Sequence, residues 1–185
     1  MFIQTEATPN PATLKFLPGR DVMGAGTADF PTSASAAKSP LATRLFEVEG
    51  VVGVFFGADF VTVTKTETVE WHHLKPAVLG AIMEHFTTDD PVMAEGAAPG
   101  AADESYDEAD ADIVAQIRDL IENRVRPAVA QDGGDIVFRG YDQGIVLLEM
   151  QGSCSGCPSS LATLKMGIEN MLRHYIPEVV EVRPV

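Results

Sequence analysis

The chain opens with alternating polar and apolar residues. Phe2-Ile3-Gln4-Thr5-Glu6 predicts a strand, Thr8-Pro9-Asn10-Pro11 interrupts it, and Thr13-Leu14-Lys15-Phe16-Leu17 resumes as a second strand that Pro18-Gly19 closes. Asp21 to Lys38 is rich in Gly, Ala, Ser and Thr and reads as a loop anchored by Phe30-Pro31. At Ser39-Pro40 the period changes. Ser is a favoured N-cap and Pro fits the first helical position, so a helix is expected with Leu41, Leu45, Phe46 and Val48 buried and Gly50 stopping it. Val51–Phe56 and Phe60–Thr64 then form a hairpin about Gly57-Ala58-Asp59. A second helix runs roughly from Trp71 to Phe86, with Leu74, Val78, Ile82 and Met83 facing inward. The order β-β-α-β-β-α predicts helices on one side of an antiparallel sheet.

After a break the helical period returns at Ile113, Ile117, Leu120, Ile121 and Val125, with acids at the start, Arg124 and Arg126 near the end, and Pro127 expected to end or kink the helix. Asp132-Gly133-Gly134-Asp135 is a turn into the strand Ile136–Arg139. Asp142-Gln143-Gly144 turns the chain back as Ile145–Met150. A helix follows with Leu164, Ile168, Met171, Leu172 and Tyr175 on one face, then Ile176-Pro177-Glu178 and a last strand, Val179–Val182. The second half therefore reads α-β-β-α-β. The fold class is α/β of the α+β type, with two small domains, 1–87 and 110–185, joined by an acidic flexible linker over 88–109.

Charge supports that division. The chain of 185 residues carries −14, but nine of its 27 acids lie between Asp89 and Asp112, where no Lys or Arg occurs, and the remainder balances to only −5. A solvated acidic tether explains the excess, with Pro91, Gly96, Pro99 and Gly100 adding to its mobility. No basic patch points to nucleic acid. No run approaches the ~18 apolar residues of a membrane span. The opening Met1-Phe2-Ile3-Gln4 lacks a basic leader, so the protein is expected to stay in the compartment where it is made. His72-His73 sit about 100° apart on a helix and read as surface residues, not a metal clasp.

The candidate chemistry is confined to Gly152-Ser153-Cys154-Ser155-Gly156-Cys157-Pro158-Ser159-Ser160, which holds the only two cysteines of the chain. Cys157 stands at the N-cap position and Pro158 in the first helical turn. A helix N-terminus favours anions, so both thiols are expected to have lowered pKa values. Three chemistries suit a CxxC at such a place. A thioredoxin-like dithiol normally follows a βαβ pattern, whereas here an antiparallel hairpin precedes the cysteines. Zinc wants four ligands, and apart from the two cysteines this half supplies only His174, far down the helix. An iron–sulfur cluster is usually held by four cysteinates, so two per chain make half a site, and two chains meeting at their cysteine loops complete it. A cluster so exposed suits a carrier better than an electron-transfer wire.

Gly152-Ser-Cys-Ser-Gly-Cys-Pro-Ser-Ser160 and the upstream Asp132-Gly-Gly-Asp135 resemble the NifU-type C-terminal domain. Met1-Phe-Ile-Gln-Thr-Glu-Ala-Thr-Pro-Asn-Pro-Ala-Thr-Leu-Lys-Phe-Leu-Pro-Gly19, Ser39-Pro-Leu-Ala42 and Gly50 to Thr64 resemble the N-terminal domain of Nfu proteins. The resemblance covers nearly the whole chain outside the linker. It implies an iron–sulfur cluster scaffold and carrier, not an enzyme, which holds a [4Fe–4S] cluster between two subunits of a homodimer. Cys154 and Cys157 match the family's ligand pair. Upstream donor proteins would supply the cluster and apo iron–sulfur proteins would receive it. The implied location is the bacterial cytoplasm, or the mitochondrial matrix if the chain is a processed form.

Overall fold

A computed structural model of the protein describes residues 2–96, 104–155 and 158–185, the side chains of 158–160 excepted. The chain divides into two compact units, Met1–Gly100 and Ala101–Val185.

In the first unit, β1 (Gln4–Ala7), β2 (Thr13–Leu17), β3 (Ala28–Phe30), β4 (Val51–Phe56) and β5 (Val61–Lys65) form an antiparallel sheet in the order β1-β2-β5-β4-β3. Pairing Phe16 with Val61, Val54 with Val63 and Phe30 with Val54 puts one apolar row of each strand on the same face. That face packs under α1 (Pro40–Phe46) and α2 (Trp71–Thr87), through Leu41, Leu45, Leu74, Val78 and Ile82. Ser39 caps α1 as expected, its Oγ accepting from Ala42 N at 3.0 Å.

Three details differ from the sequence reading. Phe30 anchors the core from inside a strand, because Ala28 and Phe30 alternate with Asp29 for just long enough to pair with β4. On α2, Met83 is 42% exposed, and His85 and Phe86 lie on the buried side instead. Met83 stands about 100° from Ile82, and the stripe from Leu74 through Val78 and Ala81 continues to His85. Third, the flanks of the expected 88–109 linker belong to the folded units. Val92 and Met93 pack on the first core, Ser39 Oγ donates to Val92 O, and Ala94 N donates to Lys38 O at 2.9 Å. In the second unit, Ser105–Tyr106 is a strand and Glu104 pairs with Arg118. Acidic composition hid the few apolar and backbone contacts that fix these residues.

The second unit runs β6 (Ser105–Tyr106), a 3-10 turn Glu108–Asp110, α3 (Ala111–Leu120), a π turn Ile121–Val125, α4 (Arg126–Gln131), β7 (Gly134–Asp142), β8 (Ile145–Gly152), α5 (Pro158–Tyr175) and β9 (Glu181–Pro184). Its sheet has the order β6-β7-β8-β9, with β7 and β8 antiparallel and each outer strand parallel to its neighbour. α5 is the crossover that makes β8 and β9 parallel.

Pro127 neither ends nor breaks its helix. It has no N–H to offer Asn123, and the turn before it widens so that Arg126 N donates to Ile121 O, five residues back. The helix then continues to Gln131. Val114, Ile117, Ile121, Val125 and Val129 from this helix meet Ile136, Phe138, Val146 and Leu148 of the sheet and Ile168, Leu172 and Ile176 near α5. Tyr175, expected on the buried face of α5, is exposed at its end.

Candidate functional site

The β7–β8 ladder brings the two motifs of the second unit together. Its register pairs Gly134 with Gly152 and Asp135 with Gln151. The turn that enters β7 and the loop that leaves β8 therefore share one end of the sheet, although about twenty residues separate them. At that end the loop is fastened to the turn through Ser153, which is 1% exposed. Its N–H donates to Gly133 O at 3.2 Å and its hydroxyl donates to Asp132 O. Gly133 and Gly152 both have positive φ, 80° and 67°, which a residue with a Cβ adopts only at a cost.

Cys154 follows in this fixed turn and is 7% exposed. Its sulfur rests on Gly134. A Cβ added there would stand 2.6 Å from Sγ and 2.8 Å from Gln151 O, so the glycine is required by contact. The next residue closes the turn, Ser155 donating to Gly152 O from N–H at 3.1 Å and from Oγ at 2.9 Å. Cys157 lies outside the described residues; α5 starts directly after it, at Pro158.

The turn is itself held by a buried ion pair. Asp135 is 3% exposed and receives Arg126 Nε at 2.8 Å, Arg126 Nη2 at 2.7 Å and Ile136 N at 2.8 Å. Arg126 also reaches Glu122 at 2.6 Å. The Asp135 bonds raise the guanidinium pKa above its usual value against the opposing effect of burial. Sequence reasoning gave Asp132 to Asp135 as a turn and as part of the NifU-type resemblance, with no role for the carboxylate of Asp135. The signal that it does more is an acid beside two glycines at the mouth of an apolar strand, which has to be paired if it is buried.

One expectation about the thiols is overturned for Cys154. Its pKa is pushed up to about 11 instead of being lowered. Burial is the largest cause; the charges of Asp132 and Asp135 add to it, and a hydrogen bond with Ser153 opposes it. The structural reason is placement. Cys154 packs on the turn at the exit of α4, four residues before α5 begins, so the α5 N-terminus does not govern it. His72 and His73 are exposed on the outside of α2, their rings tilted against each other at 4.0 Å between centroids. Among the described residues no group of three or more His, Cys, Asp or Glu side chains could hold a metal ion, and no described helix is long and apolar enough to cross a membrane.

Comparison with known proteins places both halves. The family model described as the N-terminal scaffold protein Nfu/NifU matches residues 3–89, and the NifU-like domain matches residues 117–183. NifU-like protein 4, mitochondrial, of Arabidopsis thaliana is 54% identical over 181 residues, which cover 97% of this chain and 64% of that protein. The NFU1 iron-sulfur cluster scaffold homolog, mitochondrial, of Drosophila erecta is 56% identical over all of this chain and 65% of its own length. The human protein of the same name is 51% identical over all of this chain and 72% of its own length. The chain thus spans about two thirds of the length of these relatives. A solved NifU-like protein from Saccharomyces cerevisiae aligns with 51% of this chain and 85% of its own, at 25% identity and a TM-score of 0.41. With both family regions in order along it, and a human relative matched over most of its length, this chain belongs to the Nfu family of NifU-like proteins.

Proposed function

We propose that this protein is an iron–sulfur cluster scaffold and carrier, which holds a [4Fe–4S] cluster between two copies of itself and passes it to apo-proteins. The observation that carries this reading is the count and place of its thiols. The chain has two cysteines, and the loop that contains them leaves the end of β8, anchored to the opposite turn by Ser153. Two thiolates are half of the four that such clusters usually take, so a second loop supplies the rest. Cys154 and Cys157 are the proposed ligands. A C2 pair of loops gives equivalent ligands from each copy. The names of the relatives, scaffold homologs of iron–sulfur clusters, support the same role and a carrier rather than a catalyst.

A protein that receives and hands on a cluster has a donor before it and acceptor apo-proteins after it. The relatives' names give mitochondria, which supports the matrix alternative and lends none to the bacterial cytoplasm. The first unit holds no cysteine and so offers a cluster no thiolate; its proposed part is to recognise partners or modulate transfer. We expect the two units to fold independently.

Anaerobic reconstitution with ferrous iron, sulfide and a thiol reductant tests the reading, followed by absorption and Mössbauer spectra. A [4Fe–4S] spectrum that disappears in Cys154→Ala and Cys157→Ala is the expected result. Dithiol turnover on protein disulfides with no iron uptake would replace the scaffold by an oxidoreductase.

A further inference from the structure

In the first unit, α1 and α2 cover one face of the sheet and leave the other without a helix. On that second face Phe55 and Phe60 are buried, their ring centroids 6.1 Å apart, and belong to a layer separate from the helix-side core. Lys15 completes this layer. Its Nζ stands 4.6 Å from the Phe60 ring centroid and 3.6 Å from Glu6, the residue opposite it on β1. The face thus holds a lysine of its own between an aromatic ring and a carboxylate. The same unit carries a cleft of about 410 Å³, lined by Phe2, Gln4, Leu17, Arg20, Asp21 and Asp59. Ile3 and Phe16 lie in the helix-side core, so alternation puts Gln4 and Leu17, which are opposite each other on β1 and β2, on the face of Lys15. Phe2 is 80% exposed. Asp21 and Asp59 are exposed and join no ion pair among the described residues, while Arg20 lies over the ring of Phe86, its Cζ 4.8 Å from the centroid. Beside the cleft runs β1, an edge strand of sequence Gln4-Thr5-Glu6-Ala7, with none of the lysines, prolines or bulges that close an edge.

We propose that this cleft is a docking site for an extended, basic segment of a partner protein. The segment pairs with β1 as a further strand and lays a Lys or Arg side chain across Leu17 and Phe2, its cation at Asp21 and Asp59. Main-chain pairing at a sheet edge gives such a contact its affinity, and the side-chain cleft gives it selectivity. A long basic side chain suits both parts of the lining, because its stem is apolar and its head is charged. It would meet the surroundings that Lys15 already has on this face: an aromatic ring and carboxylate oxygens. An acidic segment is disfavoured by the two carboxylates and by the net charge of −14. Every residue of the site belongs to the first unit, so the inference goes beyond the cluster reading and stands or falls without it.

The test titrates the full-length, isotopically labelled chain with two probes, the peptides acetyl-Thr-Lys-Val-Lys-Thr-amide and acetyl-Thr-Glu-Val-Glu-Thr-amide, and follows backbone amide shifts. We expect the lysine peptide to shift the amides of β1, Leu17, Asp21 and Asp59 saturably and to slow hydrogen exchange in β1. The glutamate peptide should bind at least about fivefold more weakly, a comparison that needs no variant. Asp21→Asn/Asp59→Asn alters two exposed side chains, and each lost ion pair corresponds to up to about a fivefold loss of lysine-peptide affinity, with amide shifts elsewhere in the chain unchanged. Added salt should weaken the wild-type complex more than that of the variant. No saturable shift with millimolar lysine peptide, shifts confined to other surfaces, equal affinity for the two peptides, or full affinity in the variant would each overturn the proposal. Concentration-dependent shifts of the same amides without peptide would give the cleft to a second copy of the chain, and would overturn it too.

Discussion

At the scale of the residue, the second unit depends on a few polar groups placed where burial makes them decisive. Asp135 is nearly inaccessible, and Arg126 is its fork-shaped partner. Truncating Arg126 to Met leaves that carboxylate buried without its cation, at an expected cost of about 3 kcal/mol. Chemical unfolding of Arg126→Met beside wild type checks this, and equal midpoints would show the pair to be dispensable. In the first unit, His85 is fully buried and neither ring nitrogen makes a well-formed hydrogen bond. Burial holds its pKa below the ordinary 6.5; the Arg44 and Arg20 charges add to this, and the charge and backbone of Asp90 oppose it. The folded form therefore keeps the ring neutral while the unfolded chain takes up a proton near pH 6.5, so this contribution to stability is present above 6.5 and is lost as the pH falls through the folded value. Between pH 7 and 5 the first unit should lose thermal stability, and His85→Leu should flatten that slope. A slope unchanged in His85→Leu would assign the pH response to other groups.

Elements show where the sequence was legible and where it was not. The strongly periodic pieces, β2, β4, β5, α2, α3 and α5, stand where alternation or the 3.6-residue period put them, and Ser39-Pro40 marks the start of α1 by chemistry alone. What was missed is short or works at long range. β3 and β6 have three and two residues, too few for a period, and exist because β4 and β7 had edges to pair. The π turn before Pro127 follows from a missing donor, and the sequence shows the proline but not how the helix absorbs it. The CxxC was plain as a candidate site. Its seat was not, because Gly134 and Ser153 meet Cys154 only after the β7–β8 register is set. The segment after α2 gives an element-scale test. Ser39 both caps α1 and donates to Val92 O, so Ser39→Ala should cost about 2 kcal/mol, and a first unit ending at Thr87 should be less stable than one ending at Gly96. Equal melting of the two truncated forms would mean that residues 88–96 only rest on the surface.

For the whole molecule, the central claim is a count: two ligands per chain and four per cluster make the loaded form a dimer. Cluster and assembly are then linked, so removing iron should also weaken the association of the two copies. The direct measurement is analytical ultracentrifugation of the anaerobically reconstituted chain, with iron and sulfide determined on the same fractions. Iron should travel with a dimer at about one [4Fe–4S] cluster per two chains, and chelation should return the protein toward monomer. A monomer that carries a complete cluster with no added thiol ligand would contradict it.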